Sequence, residues 1–71
     1  MDTLGKRIAY YRKLQGLSQE KVAEHIGISR QAVTKWENDN SRPNTDNLLQ
    51  LSALFEIPLN ELVSSYSEDH S

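Results

Sequence analysis

Between Gln19 and Trp36, two helical apolar patterns follow one another with only three or four residues between them. Val22 and Ile26 belong to the first, Val33 and Trp36 to the second, and Ile28 stands at the join. Few backbones accommodate this. Helices joined so tightly cross at about 90–120°, so their facing positions must be small or closely packed. Ala23, four residues ahead of Gly27, is the small residue on the face that approaches the second helix. Gly27 offers a left-handed turn at the lowest steric cost. Ser18 and Ser29 each precede a helical run and are of the type whose hydroxyl accepts from an orphan N–H at a helix start. Each feature alone is common in helical proteins. At this joint spacing they specify a tight helical corner, with Ala23, Gly27, Val33 and Trp36 as its structural residues.

The flanking sequence is helical as well. Leu4, Ile8, Tyr11 and Leu14 recur at helical spacing, so residues 3–15 read as an amphipathic helix capped by Thr3 and stopped by Gly16. Tyr10 and Tyr11 are adjacent, so at most one faces the core. The third helix is expected to run from Ser29 to about Asn38. Residues 38–44 are loop by composition, rich in Asn, Asp and Ser and ending near Pro43. Thr45 or Asn44 then caps a fourth helix carrying Leu48, Leu51, Leu54 and Phe55; Ile57-Pro58 breaks it, and a short fifth helix follows through Leu62 and Val63. The expectation is a compact all-α, five-helix domain over residues 1–66, followed by a polar tail at 67–71. Seventy-one residues suffice for one such domain.

Several function classes drop out. The chain has no cysteine, which removes thiolate metal sites and disulfides. His25 and His70 stand apart from each other and from any other metal-ligand cluster, so neither a metal nor a cofactor is expected. No triad, carboxylate pair or glycine-rich phosphate loop is present, and so short a chain leaves little room for a pocket; an enzyme is not expected. No apolar run approaches the roughly 20 residues of a membrane span, and the N-terminus is no signal peptide, so a soluble, cytoplasmic protein is expected.

The net charge is −2, at first an argument against a polyanionic partner. Its distribution reverses the argument. All eight basic residues lie in positions 1–42 beside five acids, a net +3, whereas residues 43–71 hold five acids and no Lys or Arg, a net −5. A basic half joined to an acidic half suits polyanion binding by the first.

Gly16-Leu17-Ser18-Gln19, Val22-Ala23, Ile26-Gly27-Ile28-Ser29, the run from Ser29 to Glu37, and Arg42-Pro43 with Leu48 to Leu62 together give a specific pattern. It resembles the Cro/lambda-repressor-like, or Xre-type, helix-turn-helix regulators over about residues 4–63. The resemblance implies a five-helix fold and sequence-specific binding of double-stranded DNA by a transcriptional regulator, with repression as the expected sense. It places the helix after the turn in the major groove and assigns base readout to Arg30, Gln31 and Lys35. Gln19 matches a phosphate contact; Ser29, Asn38, Asn40, Ser41 and Arg42 are further candidates for the DNA backbone, and Thr34 for a phosphate or a thymine methyl. Arg12 has the charge of a phosphate ligand, but the resemblance implies an internal ion pair with Glu37. Trp36 faces inward by its periodicity, a core residue rather than a wedge between bases.

One reading helix covers only a few base pairs, so a homodimer on a pseudopalindromic operator is expected. The apolar end at Leu59, Leu62 and Val63 either supports that dimer or closes the domain's own core. The alternative reading is a protein-interaction module, such as an antitoxin-like or co-regulator domain.

Overall fold

In the computed structural model, residues 3–63 are described and form five helices: α1 (Leu4–Leu14), α2 (Gln19–Ile26), α3 (Arg30–Glu37), α4 (Thr45–Phe55) and α5 (Leu59–Val63). The expected boundary at residue 66 and the polar tail lie outside the described residues.

Side chains anticipated at the helix starts do the capping. Thr3, Ser18, Ser29 and Asn44 each accept from the backbone N–H three residues on, at Lys6, Lys21, Ala32 and Asn47. Each bond satisfies one of the N–H groups a helix leaves orphaned at its first turn, worth about 1 kcal/mol. Of the two residues considered for the fourth cap, Asn44 takes the position. Gly16 and Gly27 both adopt positive φ, 72° and 87°, where the chain leaves α1 and α2. At Gly27 the left-handed turn lets the N–H groups of both Gly27 and Ile28 reach the Ala23 carbonyl, at 2.8 and 3.0 Å. That closes α2 and swings the chain directly into α3.

The core forms where all five helices converge. Leu4 and Ile8 of α1, Val22 and Ala23 of α2, Val33 and Trp36 of α3, Leu51 and Phe55 of α4, and Leu62 of α5 make one buried cluster. Burying each of the larger side chains contributes about 1.5–3 kcal/mol. Val22, Ala23, Val33 and Trp36 thus act as the inner faces of the corner. Trp36, at 5% exposure, is a core residue.

One sequence expectation is overturned, and one left open is decided. Leu14, placed on the inner stripe of α1, is 64% exposed. At roughly 100° per residue, Leu4, Ile8 and Tyr11 share a line that next reaches residue 15, leaving Leu14 on its flank. Gln15 occupies that line instead and donates its side-chain amide to the Phe55 carbonyl at 2.9 Å, closing the end of α4. Leu62 is fully buried and belongs to the domain's own core, so it is unavailable to a dimer surface. Of the tyrosine pair, Tyr11 is half-buried and Tyr10 is exposed.

Candidate nucleic-acid interface

Helix α3 divides cleanly into two faces. Val33 and Trp36 point into the core; Arg30, Gln31 and Lys35 are exposed and, with Thr34, line one shallow concavity. The spacing explains this, because positions i, i+1, i+4 and i+5 of a helix share one side. Among the described residues, the side chains of Arg30, Gln31 and Lys35 make no hydrogen bond or ion pair. They are long polar groups with no part in the fold, held on a rigid helix. Arg and Lys suit the paired acceptors of a guanine edge, and Gln suits adenine's acceptor and donor.

A chain of polar side chains holds the helix from behind. Arg12 of α1 donates through Nε to Glu37 Oε2 at 2.6 Å and through Nη2 to Glu37 Oε1 at 3.1 Å, with 13% and 7% of the two side chains exposed. Its Nη1 donates to the Leu17 carbonyl at 2.9 Å, tying down the α1–α2 turn. Glu37 Oε1 also accepts from Gln19 Nε2 at 2.9 Å, and Gln19 Oε1 accepts from the Thr34 hydroxyl at 2.9 Å. That hydroxyl also lies 3.1 Å from the Arg30 carbonyl, one turn earlier on the same helix. Arg12, Glu37, Gln19 and Thr34 therefore link α1, α2 and α3 in one continuous network. A largely buried ion pair of this kind is specific about geometry, because breaking it strands a charge.

The far end of α3 is fastened by residues that sequence reasoning left unassigned. Asp39, at φ 62°, accepts from the Thr3 hydroxyl at 2.5 Å and from the Gly5 N–H at 2.9 Å. A Cβ at Gly5 would collide with the carbonyl oxygen of Trp36, and would meet the Glu37 carbonyl and the Asp39 carboxylate at 2.7 Å. The start of α1 thus abuts the end of α3, and Asp39 supplies negative charge where the N-terminal end of α1 favours it. One signal was available in the sequence: a glycine inside the first turn of a helix is unfavourable unless packing requires it.

The remaining candidates surround α3. Ser29 caps its start, and its Oγ accepts from Ala32. Asn38, Asn40, Ser41 and Arg42 are exposed on the loop after it. The N–H groups of Asn40 and Ser41 fold back onto the Lys35 carbonyl at 2.8 and 3.4 Å, which keeps this loop beside the end of the helix. Gln19 lies at the first turn of α2, next to Thr34. The geometry places the start of α2 and the α3–α4 loop next to α3.

Two short helices crossing over a left-handed glycine, the second with one face buried and one face bare, are matched by the helix-turn-helix family model over residues 8–62. The chain belongs to the helix-turn-helix family. Among similar regulators is the transcriptional activator BcrR of Enterococcus faecalis, 34% identical over 59 residues, covering 83% of this chain and 29% of BcrR. Another is the regulator ImmR of Bacillus subtilis, 34% identical over 61 residues, covering 86% of this chain and 48% of ImmR. The helix-turn-helix domain described here thus spans less than half the length of either regulator. Its fold is similar to that of the P22 phage c2 repressor in complex with a synthetic operator, at TM-score 0.83 and 30% identity, covering 89% of this chain and 96% of the repressor chain. Among the described residues, no helix is long and apolar enough to cross a membrane.

Proposed function

We propose that this chain is the DNA-reading domain of a transcription regulator, with α3 in the major groove and Arg30, Gln31 and Lys35 reading base edges. The observation that carries the reading is the bare face of α3: three side chains with base-recognition chemistry, making no hydrogen bond or ion pair among the described residues, on a helix fixed at both ends. The P22 c2 repressor, similar over most of this chain, is a complex with an operator.

Contacts to the sugar–phosphate backbone come from Gln19, Ser29, Asn38, Asn40, Ser41 and Arg42, which flank α3 on both sides and set its register without carrying sequence information. Affinity then depends on salt through the basic residues, while preference depends on the reading helix. Two copies on a pseudopalindromic site with half-sites about 10 bp apart, or a multiple, supply the discrimination one helix lacks. The cytoplasm is the compartment such a regulator works in. Repression by occupying the operator is the sense proposed; with BcrR an activator, a reporter carrying the bound site upstream or across a promoter decides it.

Selection of bound sequences from a random duplex pool tests the reading. A recurring motif of a few base pairs, repeated with two-fold symmetry, is the expected result. A chain that enriches no sequence and binds no duplex at low salt overturns it.

A further inference from the structure

We propose that Thr34 reads a base rather than a phosphate, its hydroxyl oxygen accepting a hydrogen bond from the exocyclic amino group of an adenine or cytosine. The inference rests on the placement of α3 in the major groove and adds a fourth reading residue to that face.

The argument follows the protons through the network behind α3. Glu37, in its ion pair with Arg12, offers only lone pairs. Gln19 must therefore turn its NH2 group toward Glu37, which it does at 2.9 Å. An amide turned that way presents its carbonyl oxygen on the other side, and there Thr34 lies at 2.9 Å. Between two oxygens, one of which is a carbonyl, the hydroxyl is the donor. The other neighbour of the Thr34 hydroxyl, the Arg30 carbonyl at 3.1 Å, is also an acceptor. A threonine hydroxyl has one proton and two lone pairs. Whichever acceptor holds the proton, it stays inside the domain.

Thr34 lines the open concavity, and with its proton held inside the domain its hydroxyl has only lone pairs left to offer a ligand there. Phosphate oxygens are acceptors too, so a phosphate there meets lone pair with lone pair. The major groove contains two donors of the required kind, adenine N6–H2 and cytosine N4–H2. Thr34 sits one turn below Arg30 and lines the same concavity as Gln31 and Lys35, so a base contacted by these neighbours lies beside it. The Arg12–Glu37 pair, on the far side of Gln19, thereby fixes the hydrogen-bonding sense of a residue on the DNA face.

The test uses the intact chain and its preferred duplex, recovered from a random pool. In that duplex each adenine is replaced singly by purine, and each cytosine by 2-pyrimidinone, deleting one amino group at a time. Thr34→Val removes the hydroxyl at nearly constant shape, and Thr34→Ser restores it; urea unfolding establishes that both are folded. At one position, amino deletion is expected to weaken the wild type and Thr34→Ser about fivefold, the size of one hydrogen bond, and to leave Thr34→Val unaffected. Thr34→Val should bind the unmodified preferred duplex about fivefold more weakly and a random duplex equally well. A loss spread evenly over both duplexes, or no deletion that Thr34→Val silences, overturns the assignment and leaves α3 in the groove. Enrichment of no duplex at all overturns the groove placement itself, and this inference with it.

Discussion

The Gly5 N–H donates to the Asp39 carboxylate at 2.9 Å, and no side chain fits between them. This contact joins the first turn of α1 to the end of α3, so the N-terminal end of α1 fixes one end of α3. Gly5→Ala should destabilise the domain by about 1–3 kcal/mol, the range for forcing extra volume into a packed contact. Urea unfolding measures it. A change below a few tenths of a kcal/mol would mean that the two helix ends separate easily.

Asp39 carries two separable contributions, a helix cap and a left-handed backbone. Asp39→Ala loses the cap and places a Cβ residue with no local hydrogen bond at φ 62°, whereas Asp39→Gly loses the cap alone. Alanine should therefore be the more damaging of the two, with the cap itself worth about 0.5–2 kcal/mol. Equal losses in thermal or urea unfolding would assign the whole effect to the carboxylate.

Removing Glu37 leaves the Arg12 guanidinium in a largely buried site without its carboxylate partner. Glu37→Ala should reduce stability by about 3–5 kcal/mol, and replacing both residues together by apolar ones, Arg12→Met with Glu37→Leu, should recover much of the loss. The double-mutant cycle reads the coupling directly. Additive losses would show that the pair is solvated rather than interdependent.

On the DNA face the expected signature is loss of preference without loss of fold. Arg30→Ala or Gln31→Ala should each relax selection at one or two base positions by about 1–3 kcal/mol, while unfolding stays within about 0.5 kcal/mol of wild type. Gln19→Ala should weaken all sequences more evenly. Unchanged selection in the Arg30/Gln31 double variant would remove these residues from the reading face.

Tyr11 gives a pH test. Burial, and then its hydrogen bond to Glu61 Oε2 at 3.1 Å, raise its phenol above the ordinary value of 10.0. The folded state thus favours the protonated form. Its contribution is fully present below pH 10 and is lost as pH rises through the higher folded value. Above pH 10, stability should fall more steeply in the wild type than in Tyr11→Phe, measured by urea unfolding. Parallel profiles would show that the phenol titrates alike in folded and unfolded chains.

The corner was legible because its requirements are local. Ser18, Ser29, Ala23 and Gly27 each answer to the geometry of a single turn, and periodicity alone put Val33 and Trp36 inside. Leu14 misled because three- and four-residue spacings accumulate: a residue can satisfy each step and still drift off the buried line. The pairing of Asp39 with Gly5 was illegible for a different reason. They are 34 residues apart, and nothing in a loop rich in Asn, Asp and Ser indicates which carboxylate will meet the first turn of α1. Arg30, Gln31 and Lys35 were nameable through the family resemblance, but the donor–acceptor sense of Thr34 depends on Glu37 and Gln19, through two hydrogen bonds visible only in three dimensions.

Because Arg30, Gln31 and Lys35 take no part in holding α3, the domain's foldability is nearly indifferent to their identity. Sequence change at those three positions can therefore proceed almost freely, and copies of this scaffold can diverge to new target sites without first passing through unstable intermediates. Thr34 is the exception: its hydrogen bonds to Gln19 and the Arg30 carbonyl tie it to the fold and make it slower to drift.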